Sequence, residues 1–510
     1  MALIDIGSTK QFFIDDYLIE SLINAKQALN PAQKSIHNPI IQNDRPWEGN
    51  CNVAHYVYFD EAEDIFKMWY TTEGWFSQHD TRLSSRMHGQ INMFRVEDSA
   101  YTCFATSTDG IHWEKPALGL VEFEGCKDTN IFPKEAIVSS LYHLFYDPHE
   151  IDSEKRFKGM RRYADHHPDH VKAAIEAAEV YYTVGDKWMQ KGNRGLVLWD
   201  LYYSPDGFDW TPYPNNPVME DPPYAPMMAG PTRFMWDPLR QTYACHTELS
   251  QHSRSTDFER HGRLVGLSES SDMTHWSFPE TIIVADAKDR PSTQFYCTAI
   301  GVYEGIYIGL VDNYILNTGE IFPELVFSRD GIHYHRGYRE PFISLGPYGA
   351  FDGKEIYPEV PIFHEDQVLI YYTGRNSGHD LGPFYEQEMG KENLFGTIGL
   401  ATVPLDRFVS IDSGKYVGEV TTRAFTFSGR QLYLNVGGRE DEIDVRVEIL
   451  GPASHLIPGF ALEDVDPINT CGLAHVTSWN GVSDLSHLRG KAVKLRFYLK
   501  HAKLYSFQFR

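Results

Sequence analysis

A short pattern of apolar and polar positions returns five times along the chain: a strand of small residues, a serine, a tight turn and a large aromatic residue. Four copies are complete, at 107–113, 204–210, 271–276 and 328–334, and a fifth is reduced to 405–408. Upstream of each copy lies a second unit, in which a tight turn joins two apolar stretches. Two units that repeat in step over tens of residues indicate a repeat architecture.

The spacing of the copies leaves room for one four-stranded sheet in each repeat, which is the size of a propeller blade. We therefore predict an all-β fold with a five-bladed β-propeller, because stacking around an axis covers both faces of each twisted sheet. The predicted blades are 38–120, 121–220, 221–285, 286–342 and 343–413. The Asp-Gly of the repeat supplies the positive φ of a tight turn, and the aromatic residue after it is expected to pack between blades.

The segments on either side of the predicted ring have different roles. Residues 1–37 are predicted to close the propeller, through a strand at 11–18 that pairs with the last blade and removes an exposed sheet edge. From 418 to 510 the alternation of apolar and polar residues predicts a β-sandwich. The Asp-rich stretch at 462–467 is either a structural Ca²⁺ site or a set of solvated turns, and turns are favoured.

Two predicted blades carry long insertions, at 74–100 and 164–195. The second insertion contains 169–179, a stretch rich in helix-forming residues that follows Pro168, so we predict a surface helix there. Loops of this length beside a pocket often shape specificity.

Composition excludes several classes of function. The formal net charge of −24 argues against nucleic acid or an anionic membrane as a partner. The sequence has no apolar run long enough to span a bilayer. The six cysteines lack metal-like spacing, so we expect free thiols. The first residues do not read as a secretion signal, which predicts a cytoplasmic protein, or a secreted or periplasmic one whose leader has been removed.

Four stretches carry a resemblance to a known group of enzymes. Residues 12–20, 46–49, 398–402 and 504–510 resemble uncharacterised bacterial proteins related to glycoside hydrolase family 32. A five-bladed propeller followed by a β-sandwich is similar to the wider group of family 32 fructosidases, which have family 43 arabinosidases and xylosidases as propeller relatives. The resemblance implies hydrolysis of a glycosidic bond. The fructosidase signatures Trp-Met-Asn-Asp-Pro-Asn-Gly, Arg-Asp-Pro and Glu-Cys do not occur in this sequence, which argues against fructose as the substrate.

Glycoside hydrolysis generally needs two carboxyl groups, one on each side of the scissile bond. In a propeller, such side chains project into the axial funnel from the inner strands and from the loops at their ends. We rank Glu48, Asp352 and Glu355 first as catalytic residues, because each lies among aromatic and glycine residues rather than in a charged run. Each one alone also has the simpler interpretation of a structural or solvent-facing side chain.

A sugar site also needs aromatic platforms and hydrogen-bond donors. The candidate substrate-binding residues are Asp44, Trp47, Glu73, Arg161, Arg162, His246, Glu248, Asp312, Glu324, Arg375 and His379. Further funnel candidates are Trp69, Trp75, Asp289, Tyr357 and Glu359. The arginines at 161, 162 and 375 could bind the carboxylate or sulfate of an acidic sugar, or they could pair with carboxylates of the funnel itself.

Histidines 166, 167 and 170 lie close to Asp165 and Asp169 and suggest a metal site. A proline breaks the helical spacing that would align them, and structural zinc sites usually draw ligands from two separate segments. We therefore predict no metal at these residues, which belong either to the surface or to the sugar pocket. The reaction is expected to need no cofactor.

Three classes of function fit the sequence. The first is an exo-acting glycosidase with an oligosaccharide or glycoside as substrate, because long loops in the first two blades could close one side of the funnel. The second is a glycoside phosphorylase or transferase, in which arginines would bind phosphate. The third is a glycan-binding protein without catalysis. A sialidase is a further alternative, because sialidases carry a repeated Ser-x-Asp-x-Gly-x-x-Trp motif. The repeat of this chain is one residue shorter, so this alternative is weaker.

Overall fold

The computed structural model describes residues 3–73, 101–141, 143–165, 196–221, 227–250, 262–379, 388, 390 and 393–510. These residues form β-strands and short 3₁₀ helices, the latter at Ile137–Ser140, Ser153–Lys155 and Ser486–Leu488. The predicted all-β class is confirmed. None of the described residues belongs to a helix with the length and apolar character that a membrane crossing requires.

Each copy of the sequence repeat corresponds to one antiparallel group of strands, which we call meanders one to five. Meander one contains β6 (Cys51–Asp60), β7 (Ile65–Glu73) and β8 (Tyr101–Ser107). Meander two contains β9 (His143–Tyr146), β10 (Phe157–Asp165), β11 (Leu196–Ser204), β12 (Thr211–Pro212) and β13 (Met219–Asp221). Meander three contains β14 (Met227–Asp237), β15 (Thr242–Ser250), β16 (Arg263–Ser270) and β17 (Glu280–Ile283).

The last two meanders follow the same plan. Meander four contains β18 (Thr293–Tyr303), β19 (Ile306–Ile315), β20 (Glu320–Ser328) and β21 (Tyr334–His335). Meander five contains β22 (Glu355–Pro358), β23 (Ile362–His364), β24 (Gln367–Arg375) and β25 (Gly396–Pro404), and its outer strand is β5 (Gln33–Lys34). The parallel pairing of Gly396 with Cys51 links meander five to meander one.

Five apolar clusters lie between consecutive meanders, and one of them joins the fifth meander to the first. Trp69 packs with Tyr202 between meanders one and two, and Tyr371 packs with Tyr70 between meanders five and one. The other clusters join meanders two and three, three and four, and four and five. This closed order agrees with the predicted propeller, whose count of five blades stays a prediction.

The repeated Ser-Asp-Gly-aromatic phrase forms the predicted tight turn. In the first copy the Ser107 hydroxyl accepts from the Gly110 amide at 2.9 Å, and Asp109 accepts from two backbone amides of the turn. The Trp113 indole then donates to the Gly110 carbonyl. The serine and aspartate contacts recur around Ser204 and Ser328, and the Trp210 indole donates to the Gly207 carbonyl. The phrase is therefore structural, since its polar atoms are used within the turn.

Neighbouring meanders are also joined by tyrosine hydroxyls. Tyr243 of meander three donates to Asp147 of meander two at 2.8 Å, and Tyr307 of meander four donates to Asp237 of meander three at 2.8 Å. Each aspartate lies in or next to the turn that follows an inner strand. A buried hydrogen bond to a charged group stabilises a fold by about 1.5–3 kcal/mol, so these contacts help to fix the angle between meanders.

The remaining strands form two sheets around one apolar core. One sheet contains β2 (Gln11–Phe12), β4 (Ala25–Leu29), β26 (Val409–Ser413), β29 (Leu432–Gly438), β31 (Gly472–Val476) and β33 (Ala502–Phe509). The other contains β3 (Ile19–Ile23), β27 (Gly418–Thr422), β30 (Asp444–Leu450) and β32 (Lys494–Lys500). The short strands β1 (Ile4–Asp5) and β28 (Phe425–Thr426) pair beside them. The predicted sandwich is consistent with this pair of sheets.

The amino-terminal segment pairs differently from the prediction. The strand predicted at 11–18 to complete the last blade instead pairs Gln11 with Phe507 and Phe12 with Ser506 of β33. The reason is the alternation of its aromatic side chains: Phe12 is buried against meanders four and five, whereas Phe13 is buried in the core of the two sheets. Among residues 3–37, the strand that pairs with meander five is β5.

The boundary at 413 also differs. Val409–Ser413 belongs to the carboxy-terminal sheet, where it pairs with β4 and β33, and not to the fifth meander. Asp406, just before this strand, accepts hydrogen bonds from Lys10, Tyr303 and Ser506 at 2.7–2.9 Å. This buried carboxylate therefore connects the amino-terminal segment, the ring and the carboxy-terminal sheets.

We predict that Gly207→Ala destabilises the protein more than Gly125→Ala. Both glycines have positive φ, 81° and 86°, but only at position 207 would the new methyl lie 2.6 Å from a Trp69 ring atom. The backbone strain is shared and costs about 1 kcal/mol, while overpacking adds about 1–3 kcal/mol. Urea unfolding midpoints measure the difference, and equal midpoints for the two variants would contradict the packing role of this turn.

Candidate functional site

The candidate site lies where the first strands of meanders four and five begin. Within each antiparallel pair, the start of β18 lies opposite the end of β19, and the start of β22 lies opposite the end of β24. Side chains at these strand ends form what we call the mouth cluster. Its members are Glu248, Arg263, Tyr296, Tyr314, Glu355, Tyr357, Arg375 and His379.

Meander five contributes the carboxylate of the mouth cluster. Glu355 is 2% exposed, and its Oε2 accepts a hydrogen bond from the Tyr357 hydroxyl at 2.9 Å. Arg375 Nη1 lies 3.5 Å from the same oxygen, and His379 Nδ1 lies 3.8 Å from Oε1. Tyr357 is half-buried, and the Arg375 guanidinium lies 5.4 Å from the centre of its ring. The carboxylate is thus held behind a more accessible phenol.

Meander four contributes two aromatic rings that enclose His379. The ring centres of Tyr296 and Tyr314 lie 4.7 Å and 5.1 Å from that of the imidazole, both in edge-on geometry. Burial lowers the pKa of His379 to about 3, and the charges of Arg263 and Arg375 act in the same direction. The imidazole is therefore neutral at physiological pH and works here as an uncharged hydrogen-bonding and packing group.

Meander three closes the other side of the cluster. Glu248 is 3% exposed and lies 3.2 Å from Arg263 Nε, while Arg263 Nη1 donates to Gln294 of meander four at 2.9 Å. The guanidinium also lies 5.2 Å from the ring centre of Tyr314. A guanidinium that contacts both a carboxylate and aromatic faces is preorganised for recognition of a planar or polar group.

Asp312 lies below Tyr314 on the same face of β19, since side chains two residues apart on a strand share a face. It is 4% exposed, and the structure gives no hydrogen-bond partner for its Oδ1 among the described residues. Burial raises the pKa of the Asp312 carboxyl well above its ordinary value, with Glu359 acting in the same direction and Arg233 opposing it. This carboxyl therefore keeps its proton to a higher pH than an exposed aspartate does.

An ion pair lies beneath the mouth cluster and connects meanders three and five. Both oxygens of the Glu359 carboxylate accept from the Arg233 guanidinium, at 2.5 and 3.0 Å, and the Pro358 carbonyl accepts from the same group. Glu359 follows Glu355 and Tyr357 at alternate positions, so the three side chains share one face of the inner strand. We call Arg233 and Glu359 the axial pair.

Two histidines near the axial pair are neutral. His246 lies opposite Arg233 in the sheet and is 3% exposed, and burial lowers its pKa to about 4. His143 of meander two is 6% exposed, and burial together with the charge of Arg233 places its pKa well below the ordinary value. These imidazoles add no positive charge to the centre of the ring at neutral pH.

Glu48, which the sequence ranks as catalytic, lies elsewhere. One of its oxygens accepts from the amides of Asp44 and Arg45, the other accepts from the Tyr70 hydroxyl at 2.8 Å, and Lys115 forms an ion pair with it at 2.7 Å. Its catalytic role stays a prediction, but these contacts favour a structural role in meander one.

Two other blade-one candidates, Asp44 and Trp47, lie close to Glu48, whereas Trp69 does not. Lys115 also contacts Asp44 at 2.6 Å, and the indole of the buried Trp47 donates to Asn130. Trp69 is fully buried between meanders one and two. Glu73 ends β7, and its side chain lies outside the described residues.

Asp352 and Glu324 also have partners of their own. Asp352 forms an ion pair with Lys34 at 2.5 Å and accepts from the Tyr372 hydroxyl at 2.9 Å. Glu324 binds the Arg336 guanidinium through both oxygens, and Arg336 in turn contacts Asp289. These carboxylates neutralise charges within meanders four and five, which favours a structural role for each.

The three predicted arginines are not brought together. Arg161 lies opposite Asp200 in meander two, 5.5 Å from the Tyr163 ring centre, and Arg162 packs over Trp199. Arg375 lies in meander five beside Glu355. These contacts favour the interpretation in which the arginines pair with groups of the ring itself.

Several predictions fall outside the described residues: the helix at 169–179, the histidines at 166, 167 and 170, and Trp75. The Asp-rich stretch is described. Asp464 accepts from the Ala461 amide, and Asp466 accepts from Ser478 and from the Gly481 amide. Those bonds are the ones expected of turns. Among the residues the structure describes, no group of three or more His, Cys, Asp or Glu side chains has positions suited to a metal ion.

Five cysteines have described side chains, Cys51, Cys103, Cys126, Cys245 and Cys471, and all five are free thiols, as predicted.

The site contains residues that the sequence did not identify: Arg233, Arg263, Tyr296 and Tyr314. Arg233 follows Pro231-Thr232 and Arg263 begins a strand, and neither stands in a distinctive motif. A signal was available for Tyr314, because Asp312 and Tyr314 alternate along one apolar strand and must share a face.

No family model matches the chain, and no curated protein matches it. Among solved structures it is similar to an arabinoxylan arabinofuranohydrolase of glycoside hydrolase family 43 from Bacillus subtilis, with 12% identity, 94% of this chain and 98% of that chain covered, and a TM-score of 0.40.

It is also similar to a family 32 β-fructofuranosidase from Bombyx mori, with 10% identity, 94% of each chain covered and a TM-score of 0.38. A third similar structure is an N-acetylgalactosamine deacetylase from F. plautii, with 12% identity, 80% of this chain and 97% of that chain covered, and a TM-score of 0.39. Such low values carry no conclusion about function, which has to come from the side chains of the site.

We predict that Glu48→Gln lowers the stability of the protein. The Lys115 ammonium is 7% exposed, and removing the charge of its partner leaves it buried without full compensation, at a cost of about 3 kcal/mol. Chemical unfolding measures the change, with Glu61→Gln on the exposed turn after β6 as the matched control. An unchanged unfolding midpoint for Glu48→Gln would contradict a structural role.

We predict that Asp312→Asn stabilises the protein at neutral pH relative to wild type. Asp312 keeps its proton in the folded state but loses it above pH ~4 when unfolded, so wild-type stability falls as pH rises from there toward the raised folded pKa. The asparagine variant lacks this loss. Unfolding midpoints at pH 4 and pH 7 test the sign, with the exposed Asp128→Asn as control. A stability difference that does not grow with pH would contradict it.

Proposed function

We propose that the protein is a glycoside hydrolase that cleaves a glycosidic bond of an oligosaccharide or glycoside at the mouth cluster. Asp312 is the acid that protonates the leaving oxygen, and Glu355 is the carboxylate on the opposite side of the sugar. The observation that carries this proposal is the contrast between the two environments. Both carboxyls are buried, but Asp312 has a raised pKa and no hydrogen-bond partner for its Oδ1 among the described residues, whereas Glu355 contacts a guanidinium and a phenol hydroxyl.

The division of roles follows from proton chemistry. Hydrolysis of a glycosidic bond needs one carboxyl that still carries its proton and one that has lost it. Environments that push two pKa values apart assign such roles. Burial raises the pKa of Asp312, whereas Glu355 lies beside the Arg375 guanidinium and accepts a hydrogen bond from the Tyr357 hydroxyl.

The surrounding side chains suit a sugar. Tyr296 and Tyr357 are half-buried and offer faces on which an apolar sugar face can pack. Arg263 and Arg375 offer donors to hydroxyl groups beside those rings. The comparison with glycoside hydrolase structures agrees with this class of ligand but adds no residue to it.

We further propose an exo-acting enzyme. The axial pair lies beside Asp312, His246 is opposite Arg233 in the sheet, and His143 is close enough to feel the charge of Arg233. Side chains packed on this side of the mouth cluster would block passage of a chain, and a site blocked on one side accepts the end of a glycan more readily than an internal segment.

The phosphorylase or transferase alternative depends on a cluster of arginines. Arg161 and Arg162 lie in meander two with partners there, and Arg375 lies in meander five. The contacts therefore favour water over phosphate as the acceptor. Turnover in phosphate-free buffer distinguishes these two reactions directly.

The test begins with wild-type protein and a panel of aryl glycosides and plant or algal oligosaccharides, with products separated by chromatography. Binding of a sugar without any product would contradict the proposal and favour a glycan-binding protein. Formation of a sugar phosphate that requires added phosphate would favour a phosphorylase.

We predict that Asp312→Asn separates good from poor leaving groups. The loss of turnover on an oligosaccharide is at least about a hundredfold, because general acid catalysis contributes about 10²–10⁴-fold. A dinitrophenyl glycoside of the same sugar needs no protonation of its leaving group and is turned over at a rate near that of wild type. Asp128→Asn controls for the substitution itself. Equal losses on both substrates would contradict the role of Asp312 as the acid.

A further inference from the structure

Three copies of the repeated turn carry an exposed histidine three residues after the aspartate, and each histidine contacts the aspartate of its own turn. The pairs are His112 with Asp109, His275 with Asp272 and His333 with Asp330, with distances from Nδ1 to Oδ2 of 2.7, 2.9 and 2.7 Å. Because the carboxylate engages Nδ1, the other ring nitrogen, Nε2, is left for a second contact.

One of these three histidines also contacts a second imidazole. The ring centres of His112 and His37 lie 5.1 Å apart, with an angle of 66° between the ring planes. Both side chains are exposed. His275 and His333 have no such neighbour in the part of the chain that the structure describes. The turn of meander one therefore differs from its sister turns in bringing two imidazoles together.

The separation of the two rings matches that of two imidazoles bound to one metal ion. Zinc–nitrogen bonds are about 2.0–2.1 Å long and a tetrahedral ion holds its ligands about 109° apart, which places two imidazole centres about 5 Å from each other. A histidine that binds a metal usually donates its other ring N–H to a carboxylate, which orients the ring. Asp109 provides this contact to His112.

The backbones that carry the two histidines are held at the junction of meanders five and one. His37 follows β5, and the side chain of the next residue, Asn38, donates to a backbone carbonyl of β25 in meander five at 2.9 Å. His112 lies in the turn after β8 of meander one, where the Gly110 carbonyl accepts from the Tyr371 hydroxyl of meander five at 2.9 Å. The distance between the two side chains is therefore set by the folded ring.

We infer that His37 and His112 form a binding site for a divalent transition-metal ion, with Zn²⁺ as the expected occupant. Imidazole nitrogen suits Zn²⁺, Cu²⁺ and Ni²⁺, whereas Ca²⁺ and Mg²⁺ prefer oxygen ligands. The ring separation fits the tetrahedral geometry of Zn²⁺. This inference does not depend on the proposed glycoside hydrolysis.

The site has two protein ligands, and water fills the other positions. Among the described residues, no group of three or more His, Cys, Asp or Glu side chains is placed to hold a metal. The bound ion is therefore exchangeable and weaker than a structural zinc ion with four protein ligands. Its effect is to connect meander one to the segment that runs along meander five, which stabilises the folded ring by mass action.

The test is isothermal titration calorimetry of the full-length, chelator-treated protein with zinc chloride. The chain has 22 histidines, so the comparison is between variants. His37→Gln and His112→Gln are each expected to remove one bound ion or to weaken its binding at least tenfold, and the double variant is expected to lose the same single ion. His333→Gln is the matched control, because its turn has the aspartate contact but no second imidazole.

A second measurement is the urea unfolding midpoint with and without zinc chloride. Zinc is expected to raise the midpoint of wild type more than that of His37→Gln. The ordinary alternative is an edge-on contact of two rings that binds no ion, and zinc binding that is equal in wild type and His37→Gln would establish it and overturn the inference. A loss in His333→Gln equal to that in His112→Gln would also overturn it, since zinc would then bind the histidine–aspartate pairs.

Discussion

The axial pair of Arg233 and Glu359 is the contact on which the centre of the molecule depends. It joins meanders three and five and sits next to Asp312 of meander four. A buried ion pair gives little net stability over an apolar contact, but breaking one by removal of a single partner is costly. The pair instead favours one specific arrangement, because a guanidinium that binds both oxygens of a carboxylate fixes the relative position of the two meanders.

The same pair sets the electrostatics of the proposed site. Glu359 raises the pKa of Asp312 while Arg233 lowers it, so the protonation of this acid reflects a balance that depends on where both partners lie. The mouth cluster above them contains further charges, Glu248 with Arg263 and Glu355 with Arg375. In the part of this region that the structure describes, the carboxylates of Glu248, Glu355 and Glu359 thus each lie beside a guanidinium.

Much of the architecture could be predicted from the sequence. The repeated turn is formed by residues next to one another in the sequence, through hydrogen bonds of Ser107 and Asp109 and the positive φ of Gly110. Such a turn can be predicted from the sequence because all of its causes lie within a few residues. The pairing of Gln11–Phe12 with the last strand is not local. It depends on which of two cores each phenylalanine enters, and the strand pattern alone does not distinguish them.

The site residues stay a prediction. Glu248, Asp312, Glu355, Arg375 and His379 stand near predicted strand ends, and the structure places these residues in one region. Glu48 and Asp352 were ranked high because of aromatic and glycine neighbours, but such neighbours are equally typical of packed interfaces, where both carboxylates meet lysines. Contacts between meanders, such as that of Arg263 with Tyr314, depend on tertiary packing. The residues next to Arg263 in the sequence do not predict them.

The pairing of the first strands with the last ones has a consequence for synthesis. Gln11 is synthesised before the five meanders, whereas its partner Phe507 is synthesised after them. At about 5–20 residues per second, the early strands wait for tens of seconds without their hydrogen-bonding partners. The two carboxy-terminal sheets therefore cannot be completed until β33 has left the ribosome, and the apolar faces of β2 to β4 are exposed to chaperones until then.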